Sequence, residues 1–167
     1  MMSDRRRSPG SIGGRSPAKS GRRGSEAQHE IALGDRDRRR PAGRKCILIV
    51  EDHPLNMKLF RALLESQSYR TLEATEANTG LELAREHDPD LIVMDIELPD
   101  ISGIDAIRAL KADERTRHIP IVTVTASMPY EEPKIRAAGS EGFMTKPIAA
   151  AEFLATIRSF LEDDGDS

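Results

Sequence analysis

Hydrophobic and polar positions fall into a regular pattern in this chain only from about Lys45 onward. Four short, continuously apolar runs, Cys46–Val50, Leu91–Asp95, Ile121–Thr125 and Phe143–Thr145, predict strands buried on both faces. Thr71–Ala74 alternates instead, which suits a strand at the edge of a sheet. Helical spacing connects the runs. One stripe is Leu55, Leu59 and Leu63, widened by Phe60 and Leu64. A second is Ala77, Leu81 and Ala84, a third Ile104, Ile107 and Leu110, and a last one Phe153, Ile157, Phe160 and Leu161. Pro54 suits a first helical turn, and Ser102 followed by Asp105 has the form of a capping box. Strands alternating with helices five times predict an α/β domain, a parallel sheet covered by helices on both faces. Pro129 and Pro133 cannot both lie inside one regular helix, so the fourth helix is predicted to be short or displaced, starting near Pro133.

Charge divides the chain in two. The net charge of -3 conceals 13 Lys/Arg against 5 Asp/Glu in residues 1–45, a net +8; the remaining 12 basic and 23 acidic residues give −11. The first segment is rich in Arg, Ser, Gly and Pro and has no aromatic residue, so it cannot bury enough surface to offset its chain entropy and is predicted to be disordered. Three readings of it stay open: a nonspecific electrostatic arm, an arm folding back on the acidic domain, or an upstream start codon assigned in error. No apolar region follows Arg5, Arg6 and Arg7, which argues against an export signal, and no apolar run is long enough to cross a bilayer. Cys46 is the only cysteine, which excludes an internal disulfide and a cysteine-based metal cluster; its place in an apolar strand predicts a buried, inert thiol. A cytoplasmic location fits these features.

In open parallel sheets, ligands collect beyond the carboxyl ends of the strands. The first strand runs into Glu51 and Asp52, and the third ends in Asp95. The fourth ends in Thr125, and the last is followed by Lys146 and Pro147. If the first and third strands are neighbours, three carboxylates converge. Unit charges ~4 Å apart repel by roughly 4 kcal/mol at an effective dielectric of 20. A hard divalent cation with oxygen ligands removes that repulsion, and Mg²⁺ suits one or two carboxylates together with phosphate oxygens. A carboxylate is also a competent nucleophile for an aspartyl-phosphate, with the Lys146 ammonium and the Thr125 hydroxyl as partners for the phosphoryl oxygens. Each of these residues alone has an ordinary structural explanation; their appearance together at successive strand ends is the signal. His53, after the acidic pair, reads as a solvent-facing loop residue.

These stretches resemble the response-regulator receiver family from Lys45 to about Glu162. The likeness is carried by Ile47-Leu48-Ile49-Val50-Glu51-Asp52, Pro89-Asp90-Leu91-Ile92-Val93-Met94-Asp95, Leu98-Pro99-Asp100-Ile101-Ser102-Gly103, Val124-Thr125-Ala126 and Lys146-Pro147. Leu55-Asn56-Met57-Lys58-Leu59-Phe60 and Met94-Asp95-Ile96-Glu97-Leu98-Pro99 are similar to DivK-type single-domain regulators of the bacterial cell cycle. The resemblance implies a flavodoxin-like doubly wound (βα)5 fold with strand order 2-1-3-4-5. It divides the chain into a basic tail over 1–44, a receiver over 45–162 and an acidic tail over 163–167.

It further implies that Asp95 is the phosphoacceptor and that Mg²⁺ is held by Glu51, Asp52, Asp95 and the backbone carbonyl of Glu97. Thr125 and Lys146 would contact the phosphoryl group, Thr125 and Phe143 would form a switch pair, and the Lys146–Pro147 bond would be cis. Phe143 reads equally as ordinary core. The Glu97 side chain is expected near the pocket mouth. The function implied is a signalling switch rather than an enzyme, charged by a sensor histidine kinase or a histidine phosphotransfer protein and read by a downstream protein. With five residues after the last helix, no DNA-binding output domain is expected. The rival readings are a docking module that is never phosphorylated and a phosphatase working through an aspartyl-phosphate. The latter needs an acid–base group and a substrate cap that the chain does not display.

Overall fold

The computed structural model describes residues 44–126 and 131–165. The basic segment before Arg44 and Pro129 therefore lie outside the described residues. Five strands form one parallel sheet: β1 (Cys46–Val50), β2 (Arg70–Ala74), β3 (Leu91–Asp95), β4 (Ile121–Thr125) and β5 (Gly142–Thr145), in the order β2-β1-β3-β4-β5. The intervening helices are α1 (Pro54–Ser66), α2 (Ala77–His87), α3 (Gly103–Ala112), α4 (Glu132–Ala138) and α5 (Ala150–Gly165). This is the flavodoxin-like order expected from the resemblance.

Side-chain alternation along the strands sorts the core into two layers. Leu48, Val50, Ile92, Met94 and Ile121 pack against α2, α3 and α4 through Leu81, Ala84, Ile107, Leu110 and Ile135. Ile47, Ile49, Leu91, Val93, Val122 and Val124 face the other way, against Phe60 and Leu64 of α1 and Phe153, Ile157 and Leu161 of α5. Phe60 and Phe153 stack with ring centroids 4.9 Å apart, joining the two helices of that layer. The strands β1, β3 and β4 are buried throughout, whereas β2 at the edge is only partly covered, as its alternating sequence predicts. Cys46 is buried and forms no disulfide.

One stripe differs from the sequence expectation. In α1 the buried residues are Met57, Phe60 and Leu64, while Leu55 is 71% exposed and Leu59 47% exposed. The two phases are separated by about one residue, and leucine spacing alone cannot choose between them. The stacking partner Phe153 lies nearly a hundred residues away and selects the phase that points Phe60 inward. Leu64→Ala is accordingly expected to lower stability by about 2–5 kcal/mol, and Leu59→Ala by under ~1 kcal/mol. Urea unfolding of the two variants side by side checks the assignment; equal losses would contradict it.

The fourth helix is short, as its prolines predict: seven residues, with Pro133 in the first turn and Gly139 closing it in the left-handed conformation. Ser102 caps α3 by accepting from the Ile104 N–H at 3.0 Å. The reciprocal half of the expected capping box is replaced by a pair between Asp105 and Arg108 at 3.2 Å.

Candidate functional site

Register brings the strand ends together. β1 pairs with both β2 and β3, so the chain leaves β1 at Glu51 beside the end of β3 at Asp95. The Glu51 N–H donates to the Ala74 carbonyl at 3.0 Å, extending the β1–β2 pairing by one residue and drawing Glu51 into the interior. Asp52, next along, is exposed. One carboxylate oxygen from each of Glu51, Asp52 and Asp95 lies within 4.8 Å of the others. Glu51 and Asp95 are only 1% and 3% exposed.

Lys146, in the turn after β5, reaches over this cluster. Its Nζ lies 3.2 Å from Glu51 Oε1 and 3.4 Å from Asp95 Oδ2. The Lys146 N–H donates to the Thr125 carbonyl at 2.9 Å, which ties the turn to the end of β4. The following Lys146–Pro147 peptide is cis. Thr125 itself is fully buried at the end of β4, facing Thr145 across the pairing with β5. Phe143 is half-buried and packs against the layer formed by α2, α3 and α4. The Glu97 side chain is exposed, and the Glu97 N–H donates to Asp95 Oδ1 at 3.2 Å. His53 is also exposed, and its N–H donates to Glu51 Oε2 at 3.0 Å.

The electrostatics follow from this crowding. Burial and the neighbouring Glu51 charge push the Asp95 carboxyl up to about 6, against the opposing pull of Lys146 and the Glu97 N–H. Partial burial works against the Lys146 ammonium, yet Asp95 and Glu51 together hold its pKa above the ordinary lysine value. Among the described residues Lys146 is the one cation paired with Glu51 and Asp95, and Asp52 adds a third carboxylate, so the cluster is short of positive charge. Glu51 Oε1 shows the deficit directly: it is buried, and its contact with Lys146 lacks the geometry of a hydrogen bond. A buried carboxylate oxygen without a donor is costly unless something outside the protein satisfies it. An all-oxygen donor set with a surplus of negative charge fits a hard divalent cation.

Residues 47–158 match the response regulator receiver domain. The chain belongs to the response regulator receiver family. The polar-differentiation response regulator DivK of Brucella ovis is 49% identical to it over 120 residues, which span 71% of this chain and 98% of that protein. DivK of Brucella anthropi is 48% identical over the same length. Among solved structures, the receiver domain of the sensor histidine kinase PA1611 from Pseudomonas aeruginosa PAO1 superposes with a TM-score of 0.67. It is 29% identical, the match covers 72% of this chain and 99% of that one, and it has a magnesium ion coordinated in its active-site cleft. Receiver domains are signalling switches rather than conventional enzymes, and in this one no described helix is long and apolar enough to cross a membrane.

Two features of the receiver site are not evident from the strand-end residues. A groove of about 450 Å³ opens beside the cluster, lined by Asn56, Leu59 and Phe60 of α1 and by Ala126, Lys146, Pro147 and Ile148. Of the two exposed leucines of α1, read from the sequence as core, Leu59 lines it. The second is Asp100, whose Pro-Asp context signals only a turn but whose carboxylate caps a distant helix.

Proposed function

We propose that this receiver accepts a phosphoryl group on Asp95, from a histidine kinase or a histidine phosphotransfer protein, and passes the signal on as a change of surface. The observation that carries the reading is the cup formed by Glu51, Asp52 and Asp95 under Lys146, with the Glu51 oxygen left unsatisfied. Glu51, Asp52, Asp95 and the Glu97 carbonyl would hold Mg²⁺. When bound, the cation would neutralise the carboxylates and the charge on the transferring phosphoryl oxygens.

The chain's own groups supply the rest. The Glu97 N–H anchors Asp95 Oδ1, and we assign the attack to Oδ2, which faces Lys146. A carboxyl near 6 is largely ionised at neutral pH and so able to act as a nucleophile. An oxygen–phosphorus bond forms at Asp95 as the donor's nitrogen–phosphorus or oxygen–phosphorus bond breaks. The Lys146 ammonium offsets charge on one phosphoryl oxygen, and the Thr125 hydroxyl donates to another. Phe143 follows Thr125 as the residue whose repacking reports the change. Loss of the phosphoryl group to water resets the switch.

A protein donor has to place its phosphohistidine within bonding distance of Asp95, so it must seat on the rim of the site. Leu59 offers apolar area there, lining a groove that also includes Lys146, and Leu55 is exposed one turn earlier on α1. The downstream role we favour is control of cell polarity and the cell cycle, consistent with the DivK likeness. We take the receiver to run from residue 45 to about 165, since α5 continues to Gly165, three residues past the boundary at 162 and into the acidic tail expected from the sequence.

Incubation with acetyl phosphate and Mg²⁺, read by intact mass, tests the proposal. One added phosphoryl group is expected on the wild type and none in the presence of a chelator. Leu59→Glu should label normally from acetyl phosphate yet slowly from a phosphorylated histidine donor. Labelling that persists after the metal is removed would refute the reading.

A further inference from the structure

Asp100 lies in the loop between β3 and α3, and its side chain serves a different element. Oδ1 accepts from the Ala77 N–H at 2.9 Å and Oδ2 from the Asn78 N–H at 2.8 Å. These are the first two amides of α2, whose own cap residue, Glu76, provides no side-chain hydrogen bond. A carboxylate suits that position, where unpaired N–H groups carry partial positive charge. The hydrogen bond from Asn78, with those from Ala77 and Ile101, holds the Asp100 carboxyl below the ordinary range despite some desolvation.

The anchor at the other end is firm. Ala77 and Gly80 are buried, and a Cβ on Gly80 would come within 2.8 Å of Val50 Cγ2. The first turns of α2 thus rest on the end of β1, one residue before Glu51. The loop that Asp100 holds also contains Glu97, whose N–H is bonded to Asp95, and it closes where the Gly103 N–H donates to the Ile96 carbonyl at 2.8 Å. Asp100 therefore ties the loop after β3 to the helix seated on β1, the two strands that supply the carboxylates.

We propose that Asp100 is a positioning residue for the cation site. By pinning the loop to α2 it sets the backbone of Glu97, so that the carbonyl can join Glu51, Asp52 and Asp95 around one ion. This rests on the reading of the site given above. Side chains that orient ligands from outside the coordination sphere typically contribute a factor of about 10–100 in metal affinity.

Calorimetric titration with Mg²⁺ of the wild type, Asp100→Ala, Asp100→Asn and Asp113→Ala tests the inference. Asp100→Ala is expected to weaken binding by about 10-fold. Asp100→Asn keeps one acceptor oxygen for α2 while losing the charge, and should stay within about 3-fold of the wild type. Asp113, at the far end of α3, bonds Arg85 and Arg115, and its replacement should leave Mg²⁺ affinity unchanged. Unchanged affinity in Asp100→Ala overturns the proposal. So does an Asn variant as weak as the Ala one, which would mark a simple charge effect. Amide hydrogen exchange in the metal-free proteins separates the two levels. If the wild type takes up no Mg²⁺, the site reading itself fails. Faster exchange at Ala77, Asn78 and Glu97 in Asp100→Ala would then still support the clamp, whereas unaltered exchange would overturn it.

Discussion

Asp95→Asn is expected to take up no phosphoryl group at all and, at the same time, to raise the melting temperature of the metal-free protein at neutral pH. The loss follows because an amide is not a nucleophile for phosphoryl transfer under these conditions, and intact mass after acetyl phosphate treatment reads it directly. The gain follows from the crowding of the cup. Asp95 is pushed up to about 6 in the folded protein, whereas an unfolded aspartate sits near ~3.9. Between these values the folded state binds more protons than the unfolded state, so the Asp95 contribution to stability is greatest below about pH 4 and declines as pH rises through about 6. A shift of that size corresponds to at most ~3 kcal/mol, and solvent at the open mouth of the site reduces it to ~1–2 kcal/mol.

Asparagine carries no charge, so the variant lacks this penalty. At pH 7.5 it should melt about 3–8 °C above the wild type, and the gap should close towards pH 4. Saturating Mg²⁺ should narrow the gap, since the wild type gains stability from the ion and the variant has lost a ligand. Thermal melts of both proteins from pH 4 to 8, with and without Mg²⁺, check each part. Coincident melting at every pH would show that Asp95 and Glu51 do not repel.

Gly103→Ala should be among the most destabilising conservative changes in the chain, by about 3 kcal/mol. A Cβ at this position would overlap the Asp95 carbonyl oxygen and approach Ile96 Cα to 2.7 Å. Both neighbours are backbone, at the last residue of β3 and the residue after it, so neither can turn aside as a side-chain tip would. Either the first turn of α3 lifts, breaking the bond from the Gly103 N–H to the Ile96 carbonyl, or the end of β3 shifts and carries Asp95 with it. Ser102→Ala, which removes the cap from the same helix, should cost only ~1 kcal/mol. Urea unfolding ranks the two, and a Gly103→Ala loss no larger than that of Ser102→Ala would show that α3 does not press on β3.

The folding consequences of the two variants differ in sign for one reason. Gly103 serves packing, and any addition there adds strain. In the proposed reading the carboxylates of the cup serve chemistry, and their mutual repulsion would be retained at the expense of stability because a divalent ion would relieve it.

Much of this could be read from residue order. Short apolar runs have one stable outcome when helical segments separate them: a parallel sheet with both faces covered, and functional groups at the carboxyl ends. The convergence of the acidic pair after β1, the aspartate ending β3 and the lysine after β5 could be expected from position, since local pattern sets where each strand stops. Proline spacing likewise foretold the short α4, because the ring forbids helix interiors whatever surrounds them. Other features depend on groups distant in the chain meeting in space. The face of α1 that turns inward is chosen by Phe153, and the exposed Leu55 and Leu59 are left outside as a result. The unsatisfied oxygen of Glu51 exists because Lys146 approaches at the wrong angle, and Asp100 caps α2 because two loops happen to run side by side. Periodicity and turn chemistry act over a few residues and are written into the local string. Phase, hydrogen-bond geometry and charge balance are properties of the assembled interior, where partners are set by packing rather than by order along the chain.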